Sequence, residues 1–178
     1  MSSYANQFHL AFPRTASQGL PVEDFEFATT PGRLTPDHGV VLMEFLQAEF
    51  SSHGLPAQEA IAFRCAQVSE LMQPHVESVV GRQAMLTVGT VSYNGIPLIA
   101  NCDGELHELA RSTHYHVWLT MPWLEIVDFT LELSIAVGKG LPTDRCSPLA
   151  GYPDAMQPYR WHPLYVGAAA VEVLLGAL

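Results

Sequence analysis

The stretch that decides the fold runs from His114 to Thr130, "HYHVWLTMPWLEIVDFT". It reads as two short strands joined by a tight turn. In a strand, alternate side chains share a face, so His114, His116, Trp118 and Thr120 point one way and Tyr115, Val117 and Leu119 the other. In the second strand Ile126, Asp128 and Thr130 share a face. A turn centred on Pro122 sets His116 directly across from Asp128, with Cβ atoms about 4.5–5.5 Å apart. An aspartate there accepts a hydrogen bond from one imidazole nitrogen, fixes the tautomer and leaves the other nitrogen free as a base. A one-residue change of register would undo the pairing, because it turns the whole strand over.

Upstream of this hairpin the period is also two. "QAMLTVGTVSY" (83–93) reads as a strand, Asn94-Gly95 as a hairpin turn and "IPLIANC" (96–102) as its partner, with "DGELHELARS" (103–112) a loop or short helix. "EIVDFTLEL" (125–133) reads as a strand throughout. Further upstream the pattern is helical. Thr35 suits an N-cap, Pro36 the first helical position and Asp37 the positive end of the dipole, while Leu42, Phe45, Leu46 and Phe50 make one apolar face before Gly54. A second helical region, "PAQEAIAFRCAQVSELMQP" (56–74), stops at Pro74 and leaves open whether a fresh helix begins near Cys65. Residues 1–34, rich in Pro, Gly, Ser and Thr, read as an N-terminal arm wrapped over the domain. Proline-rich turns follow Gly138, Trp161 and His162 pack the C-terminal segment onto the domain, and "YVGAAAVEVLLGAL" (165–178) reads as a buried terminal helix. Helices first and an antiparallel meander second make a single α+β domain over residues 1–178, with N-terminal helices packed on an antiparallel sheet.

Composition narrows the function. The chain has 178 residues, 48% of them hydrophobic and 15% charged, and a net charge of −10. Lys139 is the only lysine. Nucleic acid and anionic membranes need clustered basic surface, so both are excluded as expected partners. No basic segment leads into an apolar one near the N-terminus, and the apolar tail is shorter than a membrane span and carries Glu172. A cytoplasmic protein is expected. Three cysteines, Cys65, Cys102 and Cys146, lack both the even number of a disulfide framework and the CxxC of a structural zinc site.

A thiolate, not a thiol, is the nucleophile, and a helix N-terminus and a neighbouring histidine both favour it. Cys65 opens the apolar-faced run "CAQVSELM" and shares a helical face with Val68 and Met72, which aims it toward the sheet. With His116 and Asp128 it gives the chain order Cys, His, Asp; Cys146 breaks that order and Cys102 sits in a turn close before His116. These residues resemble the transglutaminase-like branch of the papain-like cysteine enzymes, in which H-x-W on one strand and D-x-T on the next follow a cysteine at the start of a helix. "HVW" at His116 and "DFT" at Asp128 carry the resemblance, which covers roughly Phe63 to Thr130. It implies a papain/transglutaminase-like fold, with Cys65 as nucleophile, His116 as base and acid and Asp128 as the orienting carboxylate. The implied activity is thiol hydrolase or protease, amidase, or transglutaminase-like acyl transfer on a protein, peptide or small amide, with no cofactor. Departures are visible. Arg64 stands before Cys65 where the family places a small residue, the R-G-G-x-C signature of arylamine acetyltransferases is absent, and Gln58 is one residue off the papain-type oxyanion glutamine.

A different chemistry uses the same strand. His114 and His116 as H-x-H on one face suit a metal, with Asp128, Glu125, or His107 and Asp103 completing the set. A binding module that keeps the fold with an inert Cys65 is the third reading.

Overall fold

The computed structural model describes residues 3–52, 61–98, 105–112 and 114–176. Among them the elements run α1 (Tyr4–Ser17), α2 (Pro36–Ser52), α3 (Cys65–Val80), β1 (Met85–Tyr93), β2 (Ile96–Pro97), α4 (Leu106–Ser112), β3 (His116–Thr120), β4 (Ile126–Asp128), α5 (Leu131–Gly138), β5 (Leu149–Gly151), a 3₁₀ turn (Pro153–Ala155), β6 (Tyr159–Val166) and α6 (Ala168–Leu175). This is an α+β protein. No described helix is long and apolar enough to cross a membrane.

The sheet is antiparallel in every pairing. β1 lies between β3, paired through Met85↔Thr120 to Gly89↔His116, and β6, paired through Thr87↔Val166 to Tyr93↔Tyr159. β4 and β5 extend it beyond β3, and β2 folds back on the end of β1. The expected meander holds only as β3–β4–β5 and as the β1–β2 hairpin; β3 pairs with β1 and not with β2, and β6 returns to the far side of β1. The Asn94-Gly95 turn is as expected, with φ of 50° and 78°, the pair of positive values that a two-residue hairpin asks for.

Alternation along the strands separates two apolar layers. Val88, Val117, Leu119 and Val127 pack with Leu42, Leu46, Cys65, Met72, Leu109 and Leu174 from α2, α3, α4 and α6. Met85, Val91, Trp118, Ile126 and Trp161 pack on the other face with Tyr4, Phe8 and Ala11 of α1. Each fully buried side chain of this size adds about 1.5–3 kcal/mol.

Four local expectations change. Residues 4–17 are helix, not irregular arm: Ser3 caps α1, and Tyr4, Phe8, Ala11 and Thr15 form the buried stripe. The rest of the segment is tied down by hydrogen bonds. Ala28 N–H donates to the Pro122 carbonyl (3.0 Å), Leu34 N–H to Glu125 Oε2 (2.6 Å), and Glu23 Oε1 accepts from Ala168 N–H at the start of α6 (2.7 Å). α3 continues through Pro74 to Gly81, where φ of 68° closes it; Pro74 removes one amide while buried Met72 and Val76 hold the turns on either side. The strand expected over Glu125–Leu133 ends at Asp128, because that side chain caps a helix, α5. β6 is a strand where only packing turns were expected, Pro163 within it notwithstanding. α2 begins as read, with Thr35 Oγ1 accepting from His38 N–H and His38 Nδ1 accepting from Thr35 N–H, both at 3.3 Å. The residues expected to end it (Gly54) lie outside the described ones.

Candidate active site

The hairpin that carries the site turns one residue later than expected. Met121 N–H donates to the Glu125 carbonyl and Leu124 N–H to that of Met121, both at 2.8 Å, and Leu124 takes φ of 72°. That is a three-residue loop, Pro122-Trp123-Leu124, with its last residue left-handed. The pairs are Leu119↔Val127 and Thr120↔Ile126, so Asp128 falls opposite Trp118 and lies diagonal to His116. Moving the centre by one residue shifts the pairing by two, and an even shift keeps both side chains on one face. His116 Nε2 and Asp128 Oδ2 still meet, at 2.8 Å.

Asp128 is held by four donors. Its Oδ2 takes the His116 ring and the Trp161 indole Nε1–H (2.9 Å), and its Oδ1 takes Thr130 N–H (3.2 Å) and Leu131 N–H (3.1 Å). The carboxylate is thus fixed to the sheet by β6 and also accepts the amides of Thr130, the N-cap of α5, and of Leu131, its first residue, where the positive end of that helix favours its charge. The ring of His116 stacks on Trp118, with centroids 6.1 Å apart. Trp118 is anchored in turn by its Nε1–H to Tyr4 Oη (2.8 Å), and Tyr4 Oη bonds Thr120 Oγ1 (2.6 Å). Across β1 the partner of His116 is Gly89. A Cβ there would lie 2.8 Å from the Trp118 ring and 2.1 Å from the His162 carbonyl oxygen.

Cys65 is the first residue of α3, and its thiol is close enough to the His116 ring to contribute to the rise of the His116 pKa. A tight turn delivers it there: Arg64 N–H donates to the Ile61 carbonyl (3.1 Å) and Phe63 stands at φ of 63°. The preceding run and α3 are therefore separate, as the argument for a helix N-terminus requires. A left-handed conformation costs a bulky residue about 1–2 kcal/mol. Ser134 Oγ of α5 accepts from Phe63 N–H at 3.0 Å and fixes the turn. The cap of α5 at Asp128 and the tie at Ser134 therefore join the carboxylate and the cysteine turn to one short helix.

All three site residues are buried. Burial alone pulls the His116 pKa down, but the charge and hydrogen bond of Asp128, joined by those of Cys65, outweigh it and raise it to about 10. Burial likewise pushes Asp128 up, and His116, Trp161 and the Thr130 amide bring it below its ordinary value. The pair is an imidazolium held against a carboxylate. Tyr115, on the α3 side of the strand, is half-buried, and its phenol is raised by burial and then by the charge of Cys65.

The sequence thus named three residues that the structure brings together. His114 is not with them: it precedes β3, which starts at His116, and is exposed, so the two histidines do not share a strand face. Among the described residues no three His, Cys, Asp or Glu side chains form a metal-binding group. Asp103, Gln58 and Cys102 lie outside the described residues. Burial, followed by the charges of Glu132 and Asp144, raises the Cys146 thiol. Trp161, Ser134 and Phe63 were missed. Trp161 reaches Asp128 across 33 residues of sequence, a separation that no local spacing reveals.

Two cavities, of about 840 and 650 Å³, open elsewhere: one between α1 and β6, the other between α2 and the β4–β5 edge. Neither is lined by Cys65 or His116. No family model matches the chain, nor does any curated protein or any solved structure.

Proposed function

We propose that this protein is a cysteine-nucleophile acyl-transfer enzyme in which Cys65, His116 and Asp128 act as a triad. The observation that carries the reading is the buried His116–Asp128 pair, its carboxylate held by four donors, with Cys65 at the start of α3 near enough to act on the His116 ring. A cysteine at a helix start, beside a histidine whose other nitrogen is held by Asp, is the arrangement this chemistry needs. Nε2 is committed to Asp128, which leaves Nδ1 to serve the thiol.

The proton count follows from the charge state of the pair. His116 holds its proton at neutral pH, and only a thiolate is nucleophilic, so the reacting form pairs that thiolate with an imidazolium. The thiolate attacks the acyl carbon, and the carbonyl oxygen becomes an oxyanion facing the backbone N–H groups of the first turn of α3. His116 gives its proton to the departing amine or alkoxide, leaving a thioester on Cys65. Neutral His116 then takes a proton from water or an amine as that acceptor attacks the thioester, and the carbon–sulfur bond breaks to return the Cys65 thiolate beside the imidazolium. Asp128 stays ionised throughout and stabilises the imidazolium. No cofactor takes part. Hydrolysis, transfer and deamidation differ only in donor and acceptor.

The order Cys, His, Asp, with the cysteine helix packed on antiparallel strands that bear the other two, also supports a transglutaminase-like, papain-like architecture. The substrate class is a protein, peptide or small amide or ester.

Incubation with activated acyl esters, followed by mapping of the acylated peptide, tests the reading. A thioester on Cys65 that His116→Ala suppresses is expected. Acylation confined to other residues would overturn it.

A further inference from the structure

Phe63 stands out among the apolar residues at the surface. Single exposed hydrophobic side chains are ordinary on protein surfaces and need no explanation. Phe63 differs in that it is 66% exposed and also occupies a left-handed backbone conformation, φ 63°. That conformation suits glycine or asparagine and disfavours a bulky side chain. The turn itself makes no demand for a ring. Its two ties, Arg64 N–H to the Ile61 carbonyl and Phe63 N–H to Ser134 Oγ, use backbone atoms of residues 63 and 64 that any amino acid but proline would supply. The core makes no demand either, since most of the ring faces solvent. One edge of the ring rests near bare backbone at Gly138, where a Cβ would sit 3.5 Å from Phe63 Cζ. A strained side chain kept against both local preference and solvation points to a use at the surface. The use is located by sequence: Cys65 follows two residues later.

We propose that the Phe63 ring is the recognition surface for the acyl group transferred to Cys65, selecting acyl groups that bear an aromatic or similarly large apolar substituent beside the reacting carbonyl. The proposal rests on the reading of Cys65 as nucleophile. Tyr115, half-buried and packed against the cluster that contains Cys65, is a second aromatic residue on that layer of the sheet.

The test uses the full chain and two p-nitrophenyl esters, acetate and phenylacetate. In each case a carbon–sulfur bond forms on Cys65, the ester carbon–oxygen bond breaks, and nitrophenolate leaves with the electron pair and is read by absorbance. Water then cleaves the thioester. The phenylacetate should be favoured by about tenfold in kcat/KM, the discrimination that one apolar contact gives. Phe63→Leu should keep most of that ratio, and Phe63→Gly and Phe63→Ser should bring it close to one. Phe63→Gly relieves the backbone strain, so loss of the ratio in that variant is not a folding defect. An unchanged ratio in Phe63→Gly overturns this proposal and leaves the nucleophile standing. Failure of both esters to acylate Cys65 in the unaltered protein overturns both readings.

Discussion

The indole Nε1–H of Trp161 donates to Oδ2 of Asp128 at 2.9 Å, the same oxygen that holds His116 at 2.8 Å. Trp161 is therefore a positioning residue for the carboxylate, acting from a strand on the opposite side of β1 from β3. Trp161→Phe keeps the buried ring and removes the donor. A hydrogen bond to a charged acceptor contributes about 1.5–3 kcal/mol, so unfolding in urea should move to lower concentration by that order. Acyl transfer should also slow, in kcat more than in KM. A variant with wild-type kcat and midpoint would show that the bond has no such role.

Asp128→Asn should cost both stability and turnover. It leaves a buried imidazolium without its counter-ion, which costs on the order of 3 kcal/mol, and weakens the cap of α5. The His116 pKa should fall from about 10, since the Asp128 charge is the largest influence raising it. NMR titration of the His116 ring checks this; an unmoved pKa would remove Asp128 from the account. Turnover should drop by orders of magnitude, because the amide no longer fixes the tautomer or balances the charge.

Stability should follow pH in a definite direction. His116 rises from its ordinary 6.5 to about 10, so its contribution is full below pH 6.5 and is lost as pH climbs through about 10. Asp128 lies below its ordinary 3.8, so its contribution is full above that value and is lost as pH falls through the lower folded one. The two shifts describe one ion pair, and its stabilisation counts once. Denaturant midpoints should be flat between about pH 4 and 6.5 and decline toward pH 10. His116→Gln should lack the alkaline decline. The same decline in that variant would assign it to other groups.

Gly89→Ala places a methyl 2.1 Å from the His162 carbonyl oxygen and 2.8 Å from the Trp118 ring. Backbone cannot yield there without parting β1 from β6. A loss of about 1–3 kcal/mol is expected by thermal or urea unfolding. Wild-type stability would mean that the strands open more readily than their register implies.

How much of this was legible follows from the range of each signal. His116 and Asp128 were visible because strand alternation is local and survives an even shift of register, so a misplaced turn centre did no harm. Cys65 was visible from its place at the head of an apolar helical face. α5 was not, because "FTLEL" has strand-like content and only the Asp128 side chain, accepting two amides, turns the chain into a helix. α1 was hidden by Pro13 and by the small residues around its stripe. Trp161 and Ser134 act across tertiary contacts, Ser134 on a residue 71 positions away, and periodicity carries no such information.

The central claim, that His116 activates Cys65, is tested most directly by iodoacetamide at neutral pH with the alkylated cysteines mapped over time. Cys65 is only 7% exposed and Cys146 is more open, so exposure alone predicts that Cys146 reacts first. The account predicts the reverse: Cys65 faster by about tenfold or more, because a histidine-paired thiolate outruns a thiol raised by burial and acidic neighbours. His116→Ala should slow Cys65 and leave the Cys146 rate, the internal control for folding, where it was. Slower or equal alkylation of Cys65 in the native protein, or a Cys65 rate indifferent to the loss of His116, would contradict the account.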